Sequence, residues 1–311
     1  MNIVITGGSG FVGSYLCEKL INDGHEIIVV DNLLTGSTEN INHLMHNENF
    51  SFTEHDVQNH IEIENKVDYV LHFASAASPK AYTEHPVNTL KAGSVGTINT
   101  LGLAKKHDAE YLLASTSEVY GDPLISPQTE EYWGNVNPNG ERSMYDEAKR
   151  FAEAAVATYS RSYDLKTKIV RIFNTYGPRM QLNDGRVVTN FIVQALKNEN
   201  ITIYGDGSQT RSFSYVEDTV AGIISLMNSS EYDVFNIGNP NEMTVGQLAK
   251  KIIELTDSTS EIKYLELPND DPKQRKPDIT KAKTKLNWEP KVNLEDGLTK
   301  TIKWVEGQLS K

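Results

Sequence analysis

The sequence of 311 residues contains one cysteine, Cys17, so it can form no intrachain disulfide and no cysteine-based zinc site. It has no basic excess. Lys and Arg number 30 against 42 Asp and Glu, a formal net charge of −12, which argues against non-specific nucleic-acid binding. A few local arginines can still serve a small anionic substrate. No apolar run approaches the length of a membrane span. A strand-like stretch starts at Asn2 and leaves no room for a signal or transit peptide, so the expectation is a cytoplasmic protein in a reducing compartment. The absence of G-x-x-x-x-G-K-[ST] excludes a P-loop nucleotidase. The eight histidines form no metal constellation: His43 and His46 can share a helix face, but a third ligand is missing. There is no internal repeat, low-complexity tract or flexible linker, and no metal is expected.

What is present reads as an α/β protein. Hydrophobic residues make up 38% and charged residues 23%, the balance of a globular chain. Its length suits one large domain or two closely joined lobes. Short β-branched runs at 3–5, 27–30, 69–71 and 111–113 alternate with helix-compatible stretches such as 11–22 and 87–106. A long helix over 145–163 precedes a strand over 168–173. This alternation predicts a doubly wound, Rossmann-type parallel sheet covered on both faces. After Gly177 and Pro178 the pattern loosens into a smaller C-terminal lobe, with a helix over 187–197 and a strand over 201–204. The stretch 267–277, with three prolines and many charges, reads as a loop. Asp278 or Thr280 reads as an N-cap, and 294–309 as a closing helix.

The first strand runs into Thr6-Gly7-Gly8-Ser9-Gly10-Phe11-Val12-Gly13, a G-x-x-G-x-x-G loop that opens a helix. Glycines there allow a tight turn and close approach of backbone to a pyrophosphate, which the helix N-terminus attracts. Asp31 ends the second strand, where an acid accepts hydrogen bonds from the adenosine ribose and repels a 2′-phosphate. NAD is therefore the expected cofactor. The plain alternative is a tight turn with a solvated Asp31.

Tyr145 and Lys149 lie four apart on the predicted long helix and share a face. Tyrosine is a poor base at neutral pH unless a nearby cation stabilises the phenolate, which a neighbouring ammonium and a cationic nicotinamide ring can both do. The run Ser115-Thr116-Ser117-Glu118 follows a strand whose carboxyl end faces the ligand crevice of such a sheet. Its hydroxyls can contact a substrate carbinol, or can cap a turn.

Longer phrases carry a resemblance: Ser115-Thr116-Ser117-Glu118-Val119-Tyr120-Gly121-Asp122-Pro123, Tyr145-Asp146-Glu147-Ala148-Lys149-Arg150, Arg171-Ile172-Phe173-Asn174-Thr175-Tyr176-Gly177-Pro178-Arg179-Met180 and Gly207-Ser208-Gln209-Thr210-Arg211. The chain resembles the extended short-chain dehydrogenase/reductase superfamily of sugar-nucleotide epimerases, dehydratases and decarboxylases, most closely the UDP-glucuronate decarboxylases. The resemblance implies an enzyme that converts UDP-glucuronic acid to UDP-xylose through a 4-keto intermediate, with the hydride returned to the sugar. A UDP-sugar or UDP-glucuronate 4-epimerase is the alternative within the class, and a non-catalytic NAD-binding sensor or scaffold the alternative outside it.

The resemblance also implies roles. Thr116, Glu118, Tyr145 and Lys149 would be catalytic. Asn32, Thr35, Gly36, Asp56, Val57, Phe73, Ala74 and Ser75 would join the glycine loop and Asp31 around NAD. Lys91, Asn174, Arg179, Arg186, Tyr204, Gln209, Arg211 and Arg275 would bind the UDP-sugar, with Arg211 and Arg275 at the diphosphate and Arg179 and Lys91 at the sugar end. Residues 1–176, with returning segments at about 212–238 and 288–311, would form the NAD-binding domain, and about 177–211 and 239–287 the UDP-sugar lobe. Relatives pair two helices per subunit into a four-helix bundle, which implies a homodimer through 87–106 and 145–163. Two departures stand out: Gly93 where relatives usually carry Asn, which puts cofactor geometry in question, and Glu141 where they usually carry Pro, an acid beside an anionic sugar.

Overall fold

A computed structural model of the chain describes residues 1–266 and 274–310. In chain order its elements are β1 (Asn2–Thr6), α1 (Phe11–Asn22), β2 (Glu26–Asp31), β3 (Phe50–Glu54), β4 (Tyr69–His72), α2 (Pro79–Glu84), α3 (Pro86–Lys91), α4 (Thr97–His107), β5 (Glu110–Thr116), α5 (Ser143–Tyr163), β6 (Thr167–Ile172) and β7 (Thr175–Tyr176). Then follow α6 (Val187–Leu196), β8 (Ile201–Tyr204), β9 (Thr210–Ser212), β10 (Ser214–Tyr215), α7 (Val216–Asn228), β11 (Val234–Ile237), β12 (Glu242–Thr244), α8 (Val245–Leu255), β13 (Ile262–Leu265), β14 (Gln274–Arg275), α9 (Thr280–Leu286) and α10 (Leu294–Leu309).

A seven-stranded parallel sheet in the order β11-β6-β5-β4-β1-β2-β3 forms the centre. Its strands are apolar because both faces are covered: Ile3, Val4, Ile5, Val70 and Leu71 are all fully buried. The order reverses between β1 and β4, and the carboxyl ends of these two strands therefore open a crevice, the place where such sheets bind ligands. The second lobe is built from small sheets, β12-β9-β14 and β13-β8, packed with α6 and α8. One buried cluster runs from Ile3 and Leu16 through Val216 and Ile223 to Ile192 and Leu248, so the lobes share a core.

The expected loop over 267–277 is corrected in part. Gln274 and Arg275 form β14, parallel to Thr210 and Arg211 of β9, while residues 267–273 lie outside the described residues. Short strands of this kind form by pairing with a remote partner and carry no local pattern. The helix expected over 87–106 is also not uniform. A π-helical turn, Ala92–Gly96, separates α3 from α4.

The turn sits where Gly93 meets α5. A Cβ on Gly93 would lie 2.7 Å from the Ala148 Cβ, so glycine is required by the close packing of this turn on α5. Asparagine at 93 must overpack the contact. Gly93→Asn is expected to lower stability by about 1–3 kcal/mol, and Ala148→Gly in the same chain to recover part of the loss. Thermal melts of the two variants against the native protein check this: equal melting temperatures for the single and double variants would break the link between the residues.

Candidate active site

A cavity of about 1200 Å³ occupies the crevice and extends into the second lobe. Its size exceeds that of a site for one drug-sized ligand and leaves room for two side by side.

The β1-to-α1 loop forms one wall. Gly7 has φ +74, and a Cβ there would lie 2.7 Å from the Ala74 nitrogen. A Cβ on Gly13 would lie 2.3 Å from the Gly7 carbonyl oxygen, so glycines at both positions are needed for the loop to close on α1 and β4. The N-terminus of α1 follows Gly10 with no side-chain cap and no acid in its first turn, which leaves its N–H groups to an anion. Asp31, buried at the end of β2, accepts hydrogen bonds from Ser9 N–H and Leu33 N–H at 2.9 Å each. Burial raises its pKa and those two N–H groups oppose the rise. Gly10, Phe11, Val12, Asn32, Thr35, Gly36, Asp56, Val57, Phe73, Ala74 and Ser75 all line this half of the cavity.

Tyr145, Lys149, Thr116 and Glu118 meet at the middle. Tyr145 and Lys149 come from the buried face of α5, and Thr116 ends β5. The Tyr145 hydroxyl is hydrogen-bonded to Thr116. Thr116 Oγ1 also accepts from Glu118 N–H at 3.2 Å and caps the turn that follows, which is the capping role the hydroxyl cluster allowed. Lys149 Nζ donates to the Ala114 carbonyl at 2.8 Å. Burial lowers its pKa to about 8, with Glu153 opposing. Burial pushes the Tyr145 phenol up to about 12, against the hydrogen bond from Thr116. Burial outweighs that hydrogen bond and the charge of Arg186, so the protein by itself holds a neutral phenol.

Glu118 in the cavity wall is paired with two arginines. It forms ion pairs with Arg142 and, at 3.2 Å, with Arg275 Nη2. Burial would raise its pKa, but Arg275, Arg142 and Arg211 outweigh burial and hold it below the usual range. Arg275 is 1% exposed and also donates to the carbonyls of Ser117 and Gly121. Its guanidinium is therefore clamped on the Glu118 turn, at the cavity wall.

The remaining expected substrate residues divide. Asn174, Arg179, Arg186, Tyr204, Gln209 and Arg211 line the cavity. Arg179 is anchored toward α1, with Nη2 2.7 Å from Glu18 and its guanidinium 4.4 Å from the centre of the Tyr15 ring. Arg186 pairs with the buried Asp184 at 2.8 Å. Lys91 is exposed at the end of α3 and is not part of the cavity wall, because the helix turns it to the outer face. Glu141 lines the cavity and is exposed.

Several residues of the site carried no sequence signal that singled them out. Tyr82 stacks on Tyr145 with ring centroids 5.2 Å apart and 14° between planes. Arg142 holds Glu118. Behind Lys149, Glu153 accepts from Ser115 Oγ at 2.5 Å and forms a bidentate pair with Arg171 at 2.7 and 2.9 Å. Glu153 lies one further turn along the Tyr145–Lys149 stripe, which is the one hint the spacing holds.

Asp146 is a cost at this site. It is 7% exposed, its Oδ1 has no hydrogen-bond partner among the described residues, and its pKa is pushed up to about 7 by burial first and the Glu118 charge second. A raised folded-state pKa gives stability that is present in acid and lost as pH rises toward and past neutrality. Asp146→Asn is expected to raise the melting temperature at pH 8 by about 2–4 °C, with a smaller gain at pH 5. A gain that is equal at the two pH values would contradict the buried-carboxyl account.

Comparison with known proteins agrees with this architecture. Residues 4–301 match the family model described as GDP-mannose 4,6 dehydratase. UDP-glucuronic acid decarboxylase 1 of Xenopus tropicalis is 53% identical over 307 residues, covering 99% of this chain and 72% of that protein. UDP-glucuronic acid decarboxylase 1 of Arabidopsis thaliana is 52% identical over 302 residues, covering 97% and 69%. Among solved structures, the Thermotoga maritima UDP-glucose 4-epimerase with UDP-glucose superposes with a TM-score of 0.92 at 34% identity, covering 99% of this chain and 100% of that one. The Bacillus cereus UDP-glucuronic acid 4-epimerase in complex with UDP-glucuronic acid and NAD superposes with a TM-score of 0.89 at 26% identity, covering 99% and 100%. With such identity along nearly its whole length, and with the crevice, glycine loop and tyrosine–lysine face in place, the chain belongs to the UDP-glucuronic acid decarboxylase family of the extended short-chain dehydrogenase/reductase superfamily.

Proposed function

We propose that this chain is a NAD-dependent UDP-glucuronate decarboxylase that forms UDP-xylose and carbon dioxide with no net redox change. The observation that carries the reading is Glu118, held as a carboxylate by Arg275 and Arg142 beside Thr116 and Tyr145 in a cavity large enough for a dinucleotide and a nucleotide sugar. The residues present fit NAD: the uncapped N-terminus of α1 suits the pyrophosphate, and the Asp31 carboxylate suits a ribose without a 2′-phosphate. NAD, when bound, supplies an acceptor for the C4 hydride and a source for its return.

The side chains have the following work. Thr116 and Tyr145 bind the C4 hydroxyl, and Tyr145, which would first have to give up its own proton beside Lys149 and a bound cationic nicotinamide, takes the C4 hydroxyl proton as the phenolate when C4 becomes a ketone. The carboxylate is then β to that ketone. The C5–carboxylate bond breaks, its electron pair enters the C4 carbonyl as an enolate, and carbon dioxide leaves. C5 takes up a proton from solvent, and Tyr145 returns its proton to O4 when the hydride comes back. Lys149, fixed on the Ala114 carbonyl, positions the cofactor side of Tyr145. Glu118 and its arginines stand on the sugar side, where they orient the ring and keep charge balanced while the substrate loses its carboxylate. Arg211, Arg186, Gln209, Tyr204 and Asn174 are assigned to the UDP-sugar.

The division into an NAD-binding domain and a UDP-sugar lobe, as expected from the sequence, is part of the same reading. So is a homodimer: Val87, Leu90, Val95, Ile98 and Phe151 are exposed apolar residues on α3, the π turn, α4 and α5, which supports pairing of these helices with a second copy. No helix among the described residues is long and apolar enough to cross a membrane, and a cytoplasmic location is proposed.

The test is a product assay with UDP-glucuronic acid and NAD, read by mass spectrometry. A product lighter by one carbon dioxide, without NADH accumulating in step, is the expected result. A product of unchanged mass and new retention time would make the chain a 4-epimerase. Unconverted substrate would favour a binding protein without turnover.

A further inference from the structure

His72 ends β4, is 2% exposed, and is not part of the cavity wall. Its Nδ1 lies 2.7 Å from Thr6 Oγ1 and its Nε2 lies 3.3 Å from Thr97 Oγ1. The partners fix the protons. Thr97 Oγ1 gives its one proton to the Gly93 carbonyl at 2.8 Å, so toward His72 it can only accept, and Nε2 carries the hydrogen. Thr6 Oγ1 accepts from Ala74 N–H at 3.4 Å and gives its own proton to Nδ1. The result is one directed chain: Ala74 N–H to Thr6, Thr6 to His72, His72 to Thr97, Thr97 to the Gly93 carbonyl.

The chain joins two parts of the site. Thr6 leads into Gly7, at the point where Ala74 crowds the glycine loop. Thr97 closes the π turn, and Gly93 in that turn receives Ala148. Ala148 immediately precedes Lys149 and lies within the same helical turn as Tyr145. We propose that His72 is a positioning residue: as the neutral Nε2–H tautomer it ties the start of the cofactor loop to the π turn on which the Tyr145–Lys149 face of α5 is seated. The proposal rests on the assignment of Tyr145 and Lys149 as catalytic. The titratable groups that face the ring are Lys149 from α5 and Tyr111 from β5, whose ring centroid is 6.4 Å away; β1 and α4 present the hydroxyls of Thr6 and Thr97. Burial and then the Lys149 charge hold the imidazole neutral, with a pKa lowered to about 3. π turns of this kind are frequent at functional sites, where they re-aim a helix face.

Two measurements decide it. In imidazole 15N spectra of the full-length protein, with the His72 resonance assigned by its loss in His72→Gln or its shift in Thr97→Val, the ring is expected to be protonated at Nε2 and not at Nδ1. It is expected to stay so across the range where an ordinary histidine titrates. Protonation at Nδ1, or titration near the ordinary histidine value, would overturn the proposal. In kinetics with UDP-glucuronic acid, Thr97→Val is expected to lower kcat about tenfold with KM unchanged, while Thr97→Ser, which keeps the hydroxyl, stays within about threefold of the native enzyme. Equal kcat for the two variants, or a loss carried by KM, would assign the chain of hydrogen bonds to packing alone. If the native protein does not decarboxylate UDP-glucuronic acid, the functional reading fails, and the spectra still decide the tautomer and its coupling.

Discussion

Tyr145→Phe is expected to lower kcat for UDP-glucuronate decarboxylation by about a thousandfold, the scale of a general acid–base group, while the protein still folds and keeps NAD. The substitution removes one oxygen. The ring keeps its stack on Tyr82 at 5.2 Å and its buried place on α5. Thr116 keeps its bond from Glu118 N–H. The stability change should therefore be about 1 kcal/mol or less, the worth of one hydrogen bond. Because the hydroxyl acts on the proton at O4 and not on the UDP, KM should move little compared with kcat. Single-turnover assays with measured NAD content separate the cases. Turnover within tenfold of the native enzyme would remove Tyr145 from the chemistry, and loss of bound NAD would make its role structural.

Glu118→Gln is expected to be costly twice. It leaves Arg275, 1% exposed, and the partly buried Arg142 without their shared carboxylate. Removing one partner of a buried ion pair costs about 3–5 kcal/mol, and the retained amide oxygen places this case toward the lower end. The sign of its pH dependence follows from the depressed pKa. Glu118 contributes stability above the ordinary carboxylate value, and that contribution is lost as pH falls through its lower folded value. The melting temperatures of native and variant proteins should therefore differ most near neutrality and converge in acid. A difference independent of pH would mean that shape, not charge, is what Glu118 supplies. Turnover should fall as well, because the turn that carries Thr116 is held by Arg275 through Ser117 and Gly121. The same clamp connects β14 of the second lobe to the end of β5, so the variant also probes how the two lobes are kept in register.

Local signals were the legible ones. The bounds of α1, β8 and α10 follow directly from sequence, because apolar spacing, glycine and capping residues act within a few positions of one another. The glycine loop is likewise a local object: its residues turn the chain, and the helix it opens comes next. Tyr145 and Lys149 share a face because a helix makes it so. Strand β3, alternating and largely exposed at the sheet edge, lacked the apolar run that marked its neighbours. The short strands β9, β12 and β14 could not be read at all, since each exists only through its partner.

Sequence by itself determined the parallel α/β core, the dinucleotide loop and the stripe that carries Tyr145 and Lys149, because each depends on spacings of a few residues or on strand–helix alternation. Only the tertiary structure decided what those groups experience. It placed Arg275 on Glu118 across 157 positions of chain. It turned Lys91 outward, set Tyr82 against Tyr145, and seated Gly93 on Ala148. It also buried Tyr145, which raises the phenol's pKa. Spacing along a chain defines which side chains share a face; desolvation and pairing depend on what the rest of the chain brings to that face, and no local pattern encodes them.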